Sequence, residues 1–100
     1  MLESDADRRD MLLAVGGQVD IRVADKPLSI ALFTMDPLDL PFEGLRISST
    51  QPFLACLMSE AKRLGLKSGD QVQIPEEAEH YVANITNEAG LAVIELRSDP

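Results

Sequence analysis

The side chains that ordinarily do chemistry are few in this chain, and their spacing works against it. One His and one Cys occur in 100 residues. Nucleophilic catalysis needs a base beside a Ser or Cys. The only imidazole, His80, sits between Glu79 and Tyr81 on the flank of a strand-like run, where it reads as a surface or edge residue. Cys56 lies inside the apolar run from Phe53 to Met58. A reactive thiolate needs an electropositive, exposed setting, so a buried thiol is expected instead. Carboxylates are plentiful, 17 in all, but Glu76, Glu77 and Glu79 fall in a turn, where burial cannot raise a pKa for acid catalysis. Asp36, Asp39 and Glu43 have the wrong spacing for a calcium loop, with Pro and Leu between them. A single Cys excludes an internal disulfide and a Cys-based zinc site within one chain, and a single His excludes a multi-histidine site. No phosphate-binding glycine motif of the GxxxxGK or GxGxxG type is present. The expectation is a protein without catalytic residues, cofactor or metal.

Charge narrows the partners. Nine Lys and Arg against 17 Asp and Glu give a net charge of −8. That balance opposes tight wrapping of nucleic acid, which needs many cations to displace phosphate counterions, and opposes an anionic membrane surface. No apolar run approaches the roughly 18–20 residues of a membrane span. The first ten residues carry Glu3, Asp5, Asp7 and Asp10 and lack the basic start and apolar segment of a signal peptide, so the cytoplasm is the expected compartment. The charge is uneven. Residues 41–69 are net positive through Arg46, Lys62, Arg63 and Lys67, whereas residues 70–90 hold five acids and no cation: Asp70, Glu76, Glu77, Glu79 and Glu88. One reading is an ordinary solvated surface. The sharper one is a head-to-tail contact, an acidic face of one copy meeting a basic face of the next, with complementarity setting register more than affinity.

The elements that must position these residues follow from periodicity. One hundred residues make one domain. Apolar residues reach 45%, but only three Phe and one Tyr are aromatic, so the core is mostly aliphatic. Residues 4–14 read as a short helix with Ser4 as N-cap, acids in the first turn, and Met11, Leu12 and Val15 on one face; Gly16-Gly17 ends it. At this length it is marginal without docking, so an arm spanning residues 1–17 is the alternative. Residues 18–24 then alternate with period two, 25–27 turn, and 28–34 form a second strand, making a hairpin. Residues 35–44, MDPLDLPFEG, carry two prolines and three acids and cannot join a central strand, yet Leu38, Leu40 and Phe42 are too apolar for a plain loop. They either fold back on the core or stay mobile until buried on assembly. Strands are expected at 44–50 and, centrally, at 53–58. A short helix over 59–66 follows, capped by Ser59, then a turn at 67–70 with Gly69 at positive φ. Residues 71–74 are a strand, 75–79 an acidic turn, and 80–86 and 90–96 a closing hairpin around Asn87-Glu88-Ala89. About seven short strands with one small helix make a mainly β chain, a small antiparallel barrel or sandwich over residues 18–97.

One family shares this order of motifs. GLRISST over residues 44–50 with Pro52 precedes an apolar strand and a short helix. LKSGDQVQI over 66–74 follows, then Glu76-Glu77, a strand with Val82 and Ile85, and a closing strand ending Glu95-Leu96. Across residues 28–97 the chain resembles the head–tail joining proteins (head-completion, stopper or connector) of lambda-like tailed phages and prophages. The resemblance implies a small β-barrel with a long flexible loop after an early strand. It also implies a homo-oligomeric ring assembled below the portal in the host bacterial cytoplasm. That ring helps retain packaged DNA in the virion and offers a docking surface to the tail. Its partners would be further copies of itself, portal or head-completion proteins, and tail terminator or tail proteins, with DNA only as sliding cargo. The loop corresponds to residues 35–44, so Leu38, Leu40 and Phe42 would bury against neighbouring subunits. Ring formation would then offset an ordering cost of roughly 1–2 kcal/mol per residue of backbone fixed. The acids of residues 70–90 would either line the channel and repel phosphate, or pair with Arg46, Lys62, Arg63 or Lys67 of the next copy. Two alternatives stand beside this one: another phage β-barrel adaptor, such as a tail terminator or baseplate part, and a small OB- or SH3-like binding module. The few aromatics and the acidic balance weigh against a stacking platform for single strands.

Overall fold

The computed structural model describes residues 4–15, 18–35, 38–39, 46–47 and 51–99. Its elements run α1 (Asp5–Val15), β1 (Arg22–Val23), β2 (Lys26–Pro27), β3 (Ala31–Thr34), β4 (Leu38–Asp39), β5 (Arg46–Ile47), β6 (Phe53–Leu57), α2 (Met58–Leu64), β7 (Gln71–Gln73), β8 (His80–Glu88) and β9 (Leu91–Arg97). Seven strands form one antiparallel sheet in the order β2-β1-β7-β8-β9-β6-β3, and β4 and β5 form a separate pair. The chain is mainly β, as its periodicity predicts. The large sheet is open, but its ends come back together. Gln18, just before β1, bridges to Leu32 of β3, and the Val19 N–H donates to the Ala31 carbonyl at 3.3 Å.

All five residues of β6 are buried. A strand apolar at every position cannot leave a face in water, so both faces of the sheet must be covered here. Leu54 and Cys56 point into an inner core with Ile21, Val23, Ala31, Val72, Val82, Ala92, Ile94 and Leu96. Phe53, Ala55 and Leu57 point the other way, into an outer core with Ile30, Leu32, Ile47, Leu91 and Val93. Helix α1 closes that outer core with Met11 and Leu12, both fully buried, and Val15 packed beside them. Burying side chains of this size is worth roughly 1.5–3 kcal/mol each, which lets an eleven-residue helix persist. Ser4 caps it as expected: its hydroxyl accepts the Asp7 N–H at 3.2 Å, and its carbonyl accepts the Arg8 N–H at 3.1 Å.

Several boundaries differ from the sequence reading. The first hairpin is shorter, with its turn at Ala24-Asp25, both at positive φ, and Lys26-Pro27 paired back to β1. Pro27 is tolerated because β2 is the sheet edge, where a missing N–H leaves no ladder bond unmade. The expected 28–34 strand is confined to β3, which pairs with β6 rather than β1. Ser59 does not cap α2. The helix starts one residue earlier because the Met58 N–H donates to the Gly90 carbonyl at 3.0 Å, and the capping position is Leu57, which has no side-chain bond to give. The closing hairpin turns at Ala89-Gly90, not at 87–89, with φ of 55° and 87°. Two positive φ values make the tight primed turn that fits the right-handed twist of paired strands. The Asn87 carboxamide accepts the Gly90 N–H at 2.8 Å.

That turn is also where α1 is fastened. Arg8 Nε donates to the Ala89 carbonyl at 2.9 Å, and a Cβ on Gly90 would lie 2.1 Å from the same Nε. Gly90→Ala is therefore expected to cost about 1–2 kcal/mol, from the left-handed backbone and the displaced guanidinium together. In urea unfolding the loss should be smaller when Arg8→Ala is already present, because the steric part is then gone.

Candidate assembly interface

Beyond the two cores the sheet places the charged residues, starting at the C-terminal end of α2. The Gly65 N–H donates to the Lys62 carbonyl and the Leu66 N–H to the Ala61 carbonyl, both at 3.1 Å, which ends the helix. Lys26 reaches across from the β1–β2 hairpin and donates from Nζ to the Leu64 carbonyl at 2.8 Å, a cation on the negative end of the helix dipole. Lys62, Arg63 and Lys67 are exposed around it. This end of the barrel thus gathers Lys26, Lys62, Arg63 and Lys67. Arg46, the remaining cation of the basic stretch, lies in β5 in register with Asp39.

Beneath this surface sits Glu60, the one buried charged residue among those described. Its Oε1 accepts the Ser29 N–H at 3.0 Å and its Oε2 accepts from Arg63 Nη2 at 3.1 Å. The Arg63 side chain is 67% exposed and that of Glu60 6%, so the pair reaches from the core edge to solvent. Nothing in the sequence pattern flags this role, because Glu60 looks like an ordinary first-turn acid. Burial pushes the Cys56 thiol up to about 12, and the nearby Glu60 carboxylate adds a smaller push in the same direction. Cys56 is fully buried, as its apolar surroundings predict.

The acids of residues 70–90 do not form one surface. Asp70 is a turn former: its Oδ2 accepts the Lys67 N–H at 2.9 Å, while Gly69, at φ 93°, donates its N–H to the Val82 carbonyl at 2.8 Å. Glu76, Glu77 and Glu79 cluster on the exposed β7–β8 turn, where Glu76 adopts φ 65° and the Tyr81 hydroxyl donates to Glu79 at 3.4 Å. Glu88 ends the nine-residue β8, so it stands about 30 Å from that turn along the strand. The basic end of α2 and the acidic β7–β8 turn lie at opposite ends of β7, about 15 Å apart by strand rise over residues 70–75.

His80 differs from the expected surface residue. It is half buried on the inner face, its ring centroid 5.8 Å from that of Phe33. Its Nδ1 is buried without a hydrogen-bond partner among the described residues. The register His80↔Val72 puts it on the core side, which its polar neighbours in sequence conceal. Of the loop residues, Leu38 lies in β4 in register with Ile47, while Leu40 and Phe42 fall outside the described residues. Ile47 is buried in the outer core, so the β4–β5 pair is anchored on that face. Among the described residues no three His, Cys, Asp or Glu side chains gather as a metal site would require, and no helix is long and apolar enough to cross a membrane. A further junction was hidden in the sequence. The Ser59 hydroxyl donates to Asp5 Oδ2, and Arg8 Nη1 pairs with Asp5 Oδ1 at 3.0 Å, which ties the start of α1 to the start of α2. No protein-family model matches the chain, and a search of the curated proteins finds no match.

Two outcomes follow from these pairs. Glu60→Ala leaves the Ser29 N–H without its acceptor in a partly buried place and should cost about 1–3 kcal/mol in urea unfolding, with Glu60→Gln costing less because an acceptor oxygen is kept. The Ser59 hydroxyl, and then Arg8, hold the Asp5 carboxyl below its ordinary value of 3.8. Its contribution to holding α1 is therefore complete above that value and is lost as the pH falls through the lower folded one. Amide exchange in α1 should accelerate over that acid range, and Asp5→Asn should flatten the dependence.

Proposed function

We propose that this chain is a structural subunit that joins a phage head to its tail, assembling with copies of itself into a ring below the portal. The observation that carries the reading is the separation of charge on one small barrel: four cations at the end of α2, and three glutamates on the β7–β8 turn at the other end of β7. Placed head to tail, two copies bring these ends together. A heterologous contact of this kind repeats, and it closes into a ring when the rotation per copy allows. Exposed ion pairs are each worth little, about 0–1 kcal/mol, so the charges choose register and partner while apolar burial supplies the affinity. The order of motifs over residues 44–97 agrees with this reading, as does the acidic surplus, which lets a duplex slide through a channel without being held. On this reading the subunit meets the portal or head-completion proteins on one side of the ring and tail proteins on the other, and it resides in the virion.

Charge reversal tests it. Lys62→Glu with Lys67→Glu should leave a folded monomer that no longer associates in sedimentation and no longer completes portal-bearing heads seen by electron microscopy. Reversing the opposite end as well, with Glu76→Lys and Glu77→Lys, should restore both. Unchanged assembly in the first variant, or no rescue in the combined one, sinks the reading.

A further inference from the structure

Strand β8 outruns its neighbour on one side. It pairs with β9 from Tyr81 to Glu88, but β7 pairs only with His80 and Tyr81. Gly69 and Asp70 bond to the backbone of Val82, and the Ser68 hydroxyl donates to the Ala83 carbonyl at 3.3 Å. Among the described residues, β9 is the only strand beside β8 from Asn84 to Glu88, and the other edge is open. The two-residue turn makes Glu88↔Leu91 a hydrogen-bonded pair, so Thr86 and Asn84 also bond to β9, whereas Ile85 and Asn87 turn their N–H and C=O groups outward. Between this edge and α2 a cleft of about 260 Å³ opens onto the surface, its apolar lining made by Met58, Ala61, Leu66 and Ile85, with Lys62 beside them. Met58, Leu66 and Ile85 are only partly buried where they pack against the inner core, so the cleft is a gap in the cover of that core.

We infer that the open edge of β8 takes up an extended segment of another protein as one more antiparallel strand, with an apolar side chain of that segment over the cleft and a cation opposite Glu88. Outward N–H and C=O groups at alternate residues are matched by extended backbone, which exchanges bonds with both Ile85 and Asn87. Ile85 packs against the inner core, so the residue opposite it lies on the same face and covers Met58 and Leu66. Thr86 and Glu88 are exposed on the other face, which suits a β-branched residue opposite the first and Lys or Arg opposite the second. Along the incoming chain, the cation precedes the apolar anchor by three residues. A second copy's β8 does not meet these demands. The register that uses both outward residues of each copy is centred on Thr86. It sets Asn87 opposite Ile85 and Asn84 opposite Glu88, a polar group at the cleft and no cation. Glu88 stands apart from the acidic β7–β8 turn, so this surface is separate from the ring contact and does not rest on self-assembly.

Amide NMR and hydrogen exchange on the full chain decide it, with the capped peptide Thr-Lys-Ser-Thr-Leu-Thr as probe; its Leu falls opposite Ile85 and its Lys opposite Glu88. The expected result is new exchange protection at Ile85 and Asn87 with little change at Thr86, whose N–H already faces β9. Methylating the backbone nitrogen of the probe's Leu should weaken binding about tenfold, because one inter-strand bond is lost. Glu in place of the probe's Lys should weaken it about threefold, and Glu88→Lys should reverse that preference. Absence of binding at millimolar probe, protection that does not alternate along β8, or indifference to the methylated nitrogen overturns the inference. Protection of Ile85 and Asn87 that rises with protein concentration without probe assigns the edge to a second copy, and protection already present in the dilute chain assigns it to the chain itself; either overturns the choice of occupant. Glu76→Lys with Glu77→Lys, which breaks the proposed ring contact, should leave probe binding unchanged, so failure of one reading is told apart from failure of the other.

Discussion

The burial of β6 on both faces constrains everything else in this molecule. Five consecutive buried residues alternate between two cores, and neither core can be left uncovered without exposing large apolar area. The inner core is enclosed by curling the sheet until the segment before β1 returns to β3. The outer core is covered by α1, with Met11 and Leu12, and by the separate β4–β5 pair, which contributes Ile47. The places of β9, buried along most of its length beside β6, and of α2, which leaves β6 without an intervening loop, follow from the same strand.

Because the helices are set by that strand, their polar ends meet at few points. Asp5 and Arg8 of α1 converge on Ser59 at the start of α2 and on the Ala89-Gly90 turn, whose Gly90 carbonyl accepts the first α2 N–H. Three pieces distant in sequence thus share one exposed junction. At the other end of α2, Lys26 closes the helix and Glu60 ties Ser29 to Arg63. The helix is held at both ends by side chains and backbone from other elements, which fixes the place of the cations it carries and of the cleft beside it.

The distribution of charge follows from the same geometry. Five acids without a cation form one block in the sequence, but folding assigns Asp70 to a turn, Glu76, Glu77 and Glu79 to one tip, and Glu88 to the far end of β8. The basic stretch gathers more tightly than its sequence indicates, because Lys26 joins it from another hairpin. A barrel with one cationic end and one anionic tip has a direction. Directed contacts between identical copies propagate, whereas self-complementary ones stop at two.

By itself the sequence determined the class of fold and much of its content. Period-two alternation marked β7, and the turn residues at 75–79 and 87–89 set off β8 and β9 as a closing hairpin. The unbroken apolar run marked β6 as central, and Ser4 with the Met11-Leu12-Val15 face marked α1. The burial of Cys56 was legible from its neighbours alone. These features are legible because each depends on residues adjacent along the chain. Only the tertiary structure decided which strand pairs with which, that β3 meets β6 rather than β1, where the last hairpin turns, and that His80 faces inward against Phe33. It alone decided that Glu60 is buried, that Ser59 serves Asp5 instead of its own helix, and that a cleft opens beside Lys62. Each of these rests on a contact between residues far apart in sequence, chosen by how two cores share one strand, and no local pattern of residue types carries that information.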